Sequence, residues 1–126
     1  MNYESINPFT EESIASFDQT TDQDWGLRLA SLHQGFNSWR LRSYKDRAQK
    51  FSRLGALLQE RELDCAKCIS NEMGKPIIEA QREIQKCCRV IDYFITETPS
   101  LLDSIARPEV MIQPLGVVFG IMPWNF

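Results

Sequence analysis

Apolar residues recur at intervals of three and four along much of the chain, the spacing that places side chains on one face of an α-helix. In the first such stretch they are Trp25, Leu29, Leu32, Phe36 and Trp39. A helix here would begin at Thr21 or Asp22, because either side chain can accept hydrogen bonds from the free N–H groups of a first turn. We expect Trp25, Phe36 and Trp39 to belong to the core.

Two further helices are predicted from capping residues and apolar spacing. The second begins at Ser43, with Asp46 three positions later as a variant of the capping box. Its apolar positions are Ala48, Phe51, Leu54 and Leu58. The third runs from about Leu63 to Met73, with Cys65, Ile69 and Met73 on one side. Gly74 is placed to end it, since glycine enters the left-handed conformation without steric cost.

A fourth, longer helix is predicted after Pro76, which fixes a backbone angle suited to a first turn. Its apolar positions are Ile77, Ala80, Ile84, Cys87, Ile91 and Phe94 or Ile95. We expect Pro99 to limit this helix, because proline lacks the N–H that a helix interior requires.

The pattern changes to that of a β-strand after Pro108. Val110 and Ile112 alternate with neighbouring residues, and the apolar run over 115–122 is typical of a strand buried on both faces. Residues 1–20, with a turn at Asn7, are predicted to form loop and short strands that could pair as a hairpin. A doubly buried strand needs neighbours, so the elements do not close on themselves. We interpret residues 1–126 as the opening of one α/β domain, with helices over 21–106 and strands over 108–122.

Composition excludes several classes of protein. The 126 residues include 14 Lys and Arg against 17 Asp and Glu, a net charge of −3, and 43% are hydrophobic. This balance is typical of a globular chain and predicts neither a nucleic acid partner nor an anionic membrane partner. A basic, apolar signal peptide and an apolar run of about 18 residues are both missing. We therefore expect a cytoplasmic protein.

The cysteines allow a metal-site alternative. Cys65 and Cys68 are separated by two residues, whereas Cys87 and Cys88 are adjacent. Adjacent helical side chains point about 100° apart, which suits a four-thiolate zinc site poorly. We favour buried free thiols and no metal, and keep a zinc site or a thiol redox pair as the alternative. The single histidine, His33, is interpreted as a surface or packed residue.

Several motifs together resemble one enzyme family. They are Ile6-Asn7-Pro8, Phe36-x-x-Trp39-Arg40, Met73-Gly74-Lys75-Pro76, Pro114-Leu115-Gly116-Val117-Val118 and Met122-Pro123-Trp124-Asn125-Phe126. Over essentially its whole length the chain resembles NAD(P)-dependent aldehyde dehydrogenases. The stretch from Glu72 through Cys87 to Leu102 is most similar to bacterial succinate-semialdehyde dehydrogenases.

The resemblance implies a fold and a set of site residues. The fold is the N-terminal helical part of an aldehyde dehydrogenase-like cofactor domain, about four helices, with the first strand of a Rossmann-like parallel sheet. Residues 123–126 would form an active-site turn in which the Asn125 amide donates to the oxyanion. The residues that would line the NAD or NADP site are Ile121, Met122, Pro123, Trp124 and Asn125. For the side chains of Ile121 and Met122 we nevertheless expect core positions.

The resemblance also implies a reaction and partners. Family members oxidise a small-molecule aldehyde to a carboxylic acid through a thiohemiacetal on a cysteine, and the subgroup resemblance suggests succinate semialdehyde as that aldehyde. The cysteine, the general-base glutamate and the glycine-rich turn match nothing in this chain, so we expect the 126 residues alone to be inactive. The family forms homo-oligomers. The segment between Leu102 and Pro114 is shorter than usual, so we expect an incomplete oligomerisation hairpin.

Other interpretations remain open at this point. The chain could be a non-enzymatic helical fragment, or a decayed paralogue that pairs with full-length subunits. Asn125 could be a turn residue that satisfies only local backbone groups.

Overall fold

The computed structural model describes residues 2–122, which form a two-stranded hairpin followed by four α-helices. The elements are β1 (Asn2–Ile6), β2 (Ser13–Asp18), α1 (Asp22–Trp39), α2 (Tyr44–Glu60), α3 (Glu62–Met73) and α4 (Ile77–Ile105). In this part of the chain no helix combines the length and the apolar character that a bilayer crossing requires.

The hairpin predicted near the start is confirmed. β1 and β2 pair in antiparallel fashion, with Tyr3 opposite Phe17. The Asn7 side chain organises the connecting turn, because its Oδ1 accepts from the backbone N–H of Phe9 at 2.9 Å and of Thr10 at 3.2 Å. The turn lies against the junction between α3 and α4, where Pro8 faces Gly74.

The capping predictions are also confirmed. The Thr21 hydroxyl caps α1 by accepting from the Asp24 N–H at 3.1 Å, and it donates to the Asp24 carboxylate at 2.7 Å. Ser43 and Asp46 make the same pair of contacts at the start of α2. Gly74 ends α3 with φ +67°, the left-handed conformation.

The helix α4 packs against both α2 and α3, which hardly touch each other. Tyr44 at the start of α2 reaches residues 94 and 95, whereas Glu62 at the start of α3 accepts from Gln81 and Gln85. The helices α2 and α3 are therefore antiparallel to α4. The three helices form a helical hairpin whose first arm is broken at Arg61.

Small residues occupy the centre of this hairpin. The buried positions are Gly55, Ala66, Ala80, Ile84 and Cys88. Glycine and alanine let two helix backbones approach closely. The prediction that Cys87 belongs to the apolar stripe of α4 is wrong. Ala80, Ile84 and Cys88 follow at intervals of four, so Cys88 faces the core and Cys87 faces solvent.

The apolar stripe of α1 is left largely uncovered. Trp25 is 45% exposed, and Phe36 and Trp39 are half-buried, so the core prediction is wrong for Trp25. The cause is that α1 makes no extensive packing contact with another described element. Its amphipathic pattern predicts a partner that residues 2–122 do not supply.

Two predicted boundaries differ from the structure. Pro99 does not limit α4, which continues through it to Ile105. Residues 106–122 form no strand, although strands were expected over 108–122. A strand requires a hydrogen-bonded neighbour, and this apolar segment has none within the described chain.

Candidate functional site

The predicted site residues lie at the end of the irregular segment that follows α4. Ile121 and Met122 are 85% and 83% exposed, so the expectation of core positions for their side chains is wrong for residues 2–122. No other element of the described chain covers these two side chains. Pro123, Trp124 and Asn125 lie outside the described residues. The oxyanion role of Asn125 thus stays a prediction.

The segment leading to this position is shaped by turn-forming residues. The Val110 N–H donates to the Arg107 carbonyl at 2.9 Å, which closes a turn directly after α4. Gly116 has φ +126°, a conformation that other residues rarely adopt. The side chains of the following apolar run extend into solvent, and Leu115 is 98% exposed.

A groove of about 860 Å³ lies between α2 and α4 and is bordered by the first part of this segment. We call it the α2–α4 groove. Its apolar walls include Phe51, Phe94 and Leu102, and Pro114 lies at its edge. Sequence reasoning located the apolar faces of both helices, but it could not show that a groove lies between them.

Polar groups in the α2–α4 groove are few. The Tyr44 hydroxyl lies 2.7 Å from the backbone carbonyl oxygen of Phe94 and 2.9 Å from that of Ile95, and it shares its single proton between these two acceptors. Arg47 also lines the groove, and its Nε is buried without an acceptor among the described residues. The groove is therefore mainly an apolar surface, with one organised polar contact at Tyr44.

The four cysteines have different environments. Cys88 is buried and Cys65 is half-buried, whereas Cys68 and Cys87 are exposed. The expectation of buried free thiols therefore fails for the last two, which lie on the solvent faces of α3 and α4. Burial raises the pKa of the Cys88 thiol, and the neighbouring Cys87 and acidic groups add to this. A thiol in this environment is a weak nucleophile at neutral pH.

The remaining candidate groups in the described part of the chain are the potential metal ligands and His33. Residues 2–122 contain no group of three or more potential metal ligands drawn from His, Cys, Asp and Glu. His33 lies beside Phe36, with ring centroids 6.5 Å apart. Lys75 forms an ion pair with Glu83 at the start of α4.

The chain matches known proteins from end to end. Residues 1–126 match the aldehyde dehydrogenase family. The chain is 35% identical over 130 residues to the succinate semialdehyde dehydrogenase [NAD(P)+] Sad of Escherichia coli, covering 97% of this chain and 28% of that protein. It is 30% identical over 127 residues to a 3-sulfolactaldehyde dehydrogenase of Pseudomonas putida, covering 95% of this chain and 26% of that protein.

Solved structures give the same result for the fold. A succinic semialdehyde dehydrogenase from Streptococcus pyogenes, solved with NADP+, aligns with TM-score 0.74 and 28% identity over 79% of this chain and 22% of that one. A betaine aldehyde dehydrogenase from Staphylococcus aureus, solved with NAD+, aligns with TM-score 0.70 at 20% identity over 77% of this chain and 20% of that one, which supports the fold alone.

The present chain spans less than a third of the length of these relatives. Within that span its hairpin and helices follow their fold, and its sequence matches the family profile from residue 1 to residue 126. The chain belongs to the aldehyde dehydrogenase family.

Proposed function

We propose that this chain is the N-terminal part of an enzyme that oxidises an aldehyde to a carboxylic acid with NAD or NADP. The observation that carries the proposal is the family match over residues 1–126. The uncovered apolar run over 115–122 supports it, because such a run leads directly into the Pro-Trp-Asn-Phe motif. In this proposal Asn125 donates its amide to the oxyanion that forms when a thiolate attacks the carbonyl.

The described residues near the motif fit a nicotinamide cofactor. Ile121 and Met122 supply apolar side chains and backbone groups directly before the motif, and Gly120 between Phe119 and Ile121 adds no side chain there. We propose that these residues, with Pro123, Trp124 and Asn125, border the cofactor on its nicotinamide side. When bound, the cofactor accepts the hydride released by the aldehyde carbon.

The cysteines described above do not fit the nucleophile. Cys88 is buried with a raised pKa, Cys65 is half-buried, and Cys68 and Cys87 lie on exposed helix faces. None of the four lies in a segment that resembles the nucleophile motif of the family. We therefore propose that a cysteine outside this sequence attacks the aldehyde. The purified 126-residue chain is then expected to form no NAD(P)H from any aldehyde. Aldehyde-dependent NADH or NADPH absorbance would overturn this expectation.

The role of Asn125 is tested in the full-length protein. Asn125→Ala is expected to lower kcat about a hundredfold to a thousandfold, because one preorganised donor is removed. The matched control is Asn71→Ala, an exposed asparagine on α3, which should leave kcat unchanged. Equal kcat for wild type and Asn125→Ala would overturn the assignment.

Succinate semialdehyde is the proposed substrate, on the strength of the relatives in Escherichia coli and Streptococcus pyogenes. The Pseudomonas putida relative acts on 3-sulfolactaldehyde, which is also a small anionic aldehyde. A comparison of kcat/KM for succinate semialdehyde, 3-sulfolactaldehyde and an uncharged aldehyde of equal length tests this. Preference for the uncharged aldehyde would remove the anionic-substrate proposal.

The exposed apolar surface favours a second candidate function. A chain that leaves the stripe of α1 and the run over 115–122 uncovered has surface suited to binding another polypeptide. The chain would then be a non-enzymatic subunit that pairs with full-length family members. Its co-purification with such a subunit, with no change in the activity of that subunit, would distinguish this function from the first.

The proposal also includes a location and an assembly. Exposed, unpaired Cys68 and Cys87 are suited to a reducing compartment, which supports the cytoplasm. We propose a homo-oligomer for the complete protein. Sedimentation of the full-length protein tests this, and a monomer would contradict it.

A further inference from the structure

A proline inside α4 leaves one backbone carbonyl without its normal donor. In an α-helix the N–H of each residue donates to the carbonyl four positions earlier. Pro99 has no N–H, so it cannot donate to Ile95. An unsatisfied carbonyl shielded from water is costly, so an interior proline normally breaks or bends a helix. The helix α4 nevertheless continues past Pro99 to Ile105.

A side chain from another helix reaches the carbonyl that Pro99 leaves free. Tyr44, the first residue of α2, places its hydroxyl 2.9 Å from the Ile95 oxygen and 2.7 Å from the Phe94 oxygen. The Phe94 carbonyl has the Thr98 N–H as its regular helical donor. The Ile95 carbonyl is the one for which the hydroxyl replaces a missing backbone donor.

We propose that the Tyr44 hydroxyl substitutes for the N–H that Pro99 lacks and thereby holds the last turns of α4 in place. Those turns carry Thr98, Leu102 and Asp103, which form part of the α4 wall of the α2–α4 groove. Tyr44 is thus a positioning residue that joins the start of α2 to the end of α4. The inference stands apart from aldehyde oxidation, because it concerns only contacts within residues 44–105.

A double-mutant cycle tests whether the Tyr44 hydroxyl replaces the backbone N–H that position 99 lacks. The variants are Tyr44→Phe, Pro99→Ala and the double variant, prepared in the full-length protein. Tyr44→Phe keeps the ring and removes only the hydroxyl, while Pro99→Ala restores a backbone N–H opposite Ile95. The readout is amide hydrogen exchange in peptides that cover residues 100–105, with a peptide over 62–73 as the internal reference.

The two backgrounds should respond differently. Tyr44→Phe alone is expected to speed exchange over 100–105 about fivefold to tenfold. A factor of that size corresponds to the net free energy that one hydrogen bond contributes to a folded protein. In the Pro99→Ala background the same change should alter exchange by less than about twofold, because the restored backbone N–H at position 99 now satisfies Ile95. Exchange over 62–73 should not change. Equal acceleration in both backgrounds would overturn the proposal.

Tyr93→Phe is the matched control. Tyr93 lies on α4 one residue before Phe94, and its ring packs edge-on against Phe94, but its hydroxyl makes no hydrogen bond within the described part of the chain. Its removal should leave exchange over 100–105 unchanged, and an effect equal to that of Tyr44→Phe would contradict the proposal. Should Tyr44→Phe fail to fold, a folded double variant supports the proposal and an unfolded one overturns it.

Discussion

At the scale of single residues, the left-handed glycine at the end of α3 is constrained by both its backbone conformation and a neighbouring side chain. Gly74 has φ +67°, and a Cβ built there would lie 3.1 Å from Cγ of Pro8. Any other residue would thus meet both backbone strain and the turn between β1 and β2. The position joins two elements that are distant in sequence.

Gly74→Ala is expected to lower the free energy of unfolding by about 1–2 kcal/mol, the cost of a left-handed residue with a Cβ. Chemical denaturation monitored by circular dichroism measures it. The control is Gly26→Ala in α1, where a new Cβ meets nothing within 4 Å and the helix should be stabilised. Similar effects from both substitutions would contradict the role of Gly74.

The buried thiol of Cys88 predicts a pH dependence at the residue scale. Burial raises its pKa above the value of about 8.5 that an unfolded chain shows. The folded state then holds a proton that the unfolded state has lost, so stability falls as pH rises above that value. Below it both states are protonated and this effect is constant.

The free energy of unfolding, measured by denaturation between about pH 7 and about pH 10, should therefore fall as pH rises. Cys88→Ala is expected to be less stable at the lower pH, but its free energy of unfolding should fall by a smaller amount over the same range. Thiol labelling provides an independent check. Cys68 and Cys87 are expected to react with iodoacetamide before Cys88, because they are exposed and Cys88 is buried. Fast labelling of Cys88 in the folded protein would contradict its buried position.

At the scale of elements, Gly55 is a buried glycine that a small side chain can replace. A Cβ there would lie 3.6 Å from Cγ2 of Ile91, which is ordinary contact. Glycine in a helix interior is about 1 kcal/mol less favourable than alanine. Gly55→Ala is thus expected to stabilise the protein by about 0.5–1 kcal/mol in a denaturation experiment.

Gly55→Val is the contrasting variant. Its two additional methyl groups must enter the contact between α2 and α4, and overpacking typically costs about 1–3 kcal/mol. A loss of stability in both variants would mean that the helices are packed too closely for any side chain at this position.

Local chemistry explains which elements were predictable from sequence. The starts of α1 and α2 and the end of α3 depend on neighbouring residues, such as Ser43 with Asp46, and these three boundaries were predicted correctly. The passage of α4 through Pro99 was not, because it depends on Tyr44, which lies 51 residues before Ile95. A strand over 108–122 could not be tested by pattern alone, since pairing requires a neighbour that the pattern does not contain.

At the scale of the whole molecule, the chain exposes more surface than a closed globule of its size. Its accessible area is 10766 Å² for a mass of 14.6 kDa. A folded monomer of that mass exposes about 6900 Å². The excess includes the apolar face of α1 and the run over 115–122. The sequence predicted that the apolar run over 115–122 would lack partners within these residues, but not that the apolar face of α1 would lie uncovered.

The exposed apolar run over 115–122 predicts that Phe119→Ser improves the isolated chain but destabilises the full-length protein. Phe119 belongs to the exposed apolar run, so Phe119→Ser should reduce self-association of the isolated 126-residue chain. In the full-length protein, where we propose that this run is a buried strand, the substitution should lower the free energy of unfolding by about 3 kcal/mol or more.

Light scattering of the isolated chain and thermal unfolding of the full-length protein measure the two effects. Phe9→Ser is the control, because Phe9 is 91% exposed in the turn between β1 and β2, outside the apolar run. It should change the full-length protein little. A full-length protein that tolerates Phe119→Ser as well as Phe9→Ser would show that the run over 115–122 stays uncovered, and the proposed strand would then be wrong.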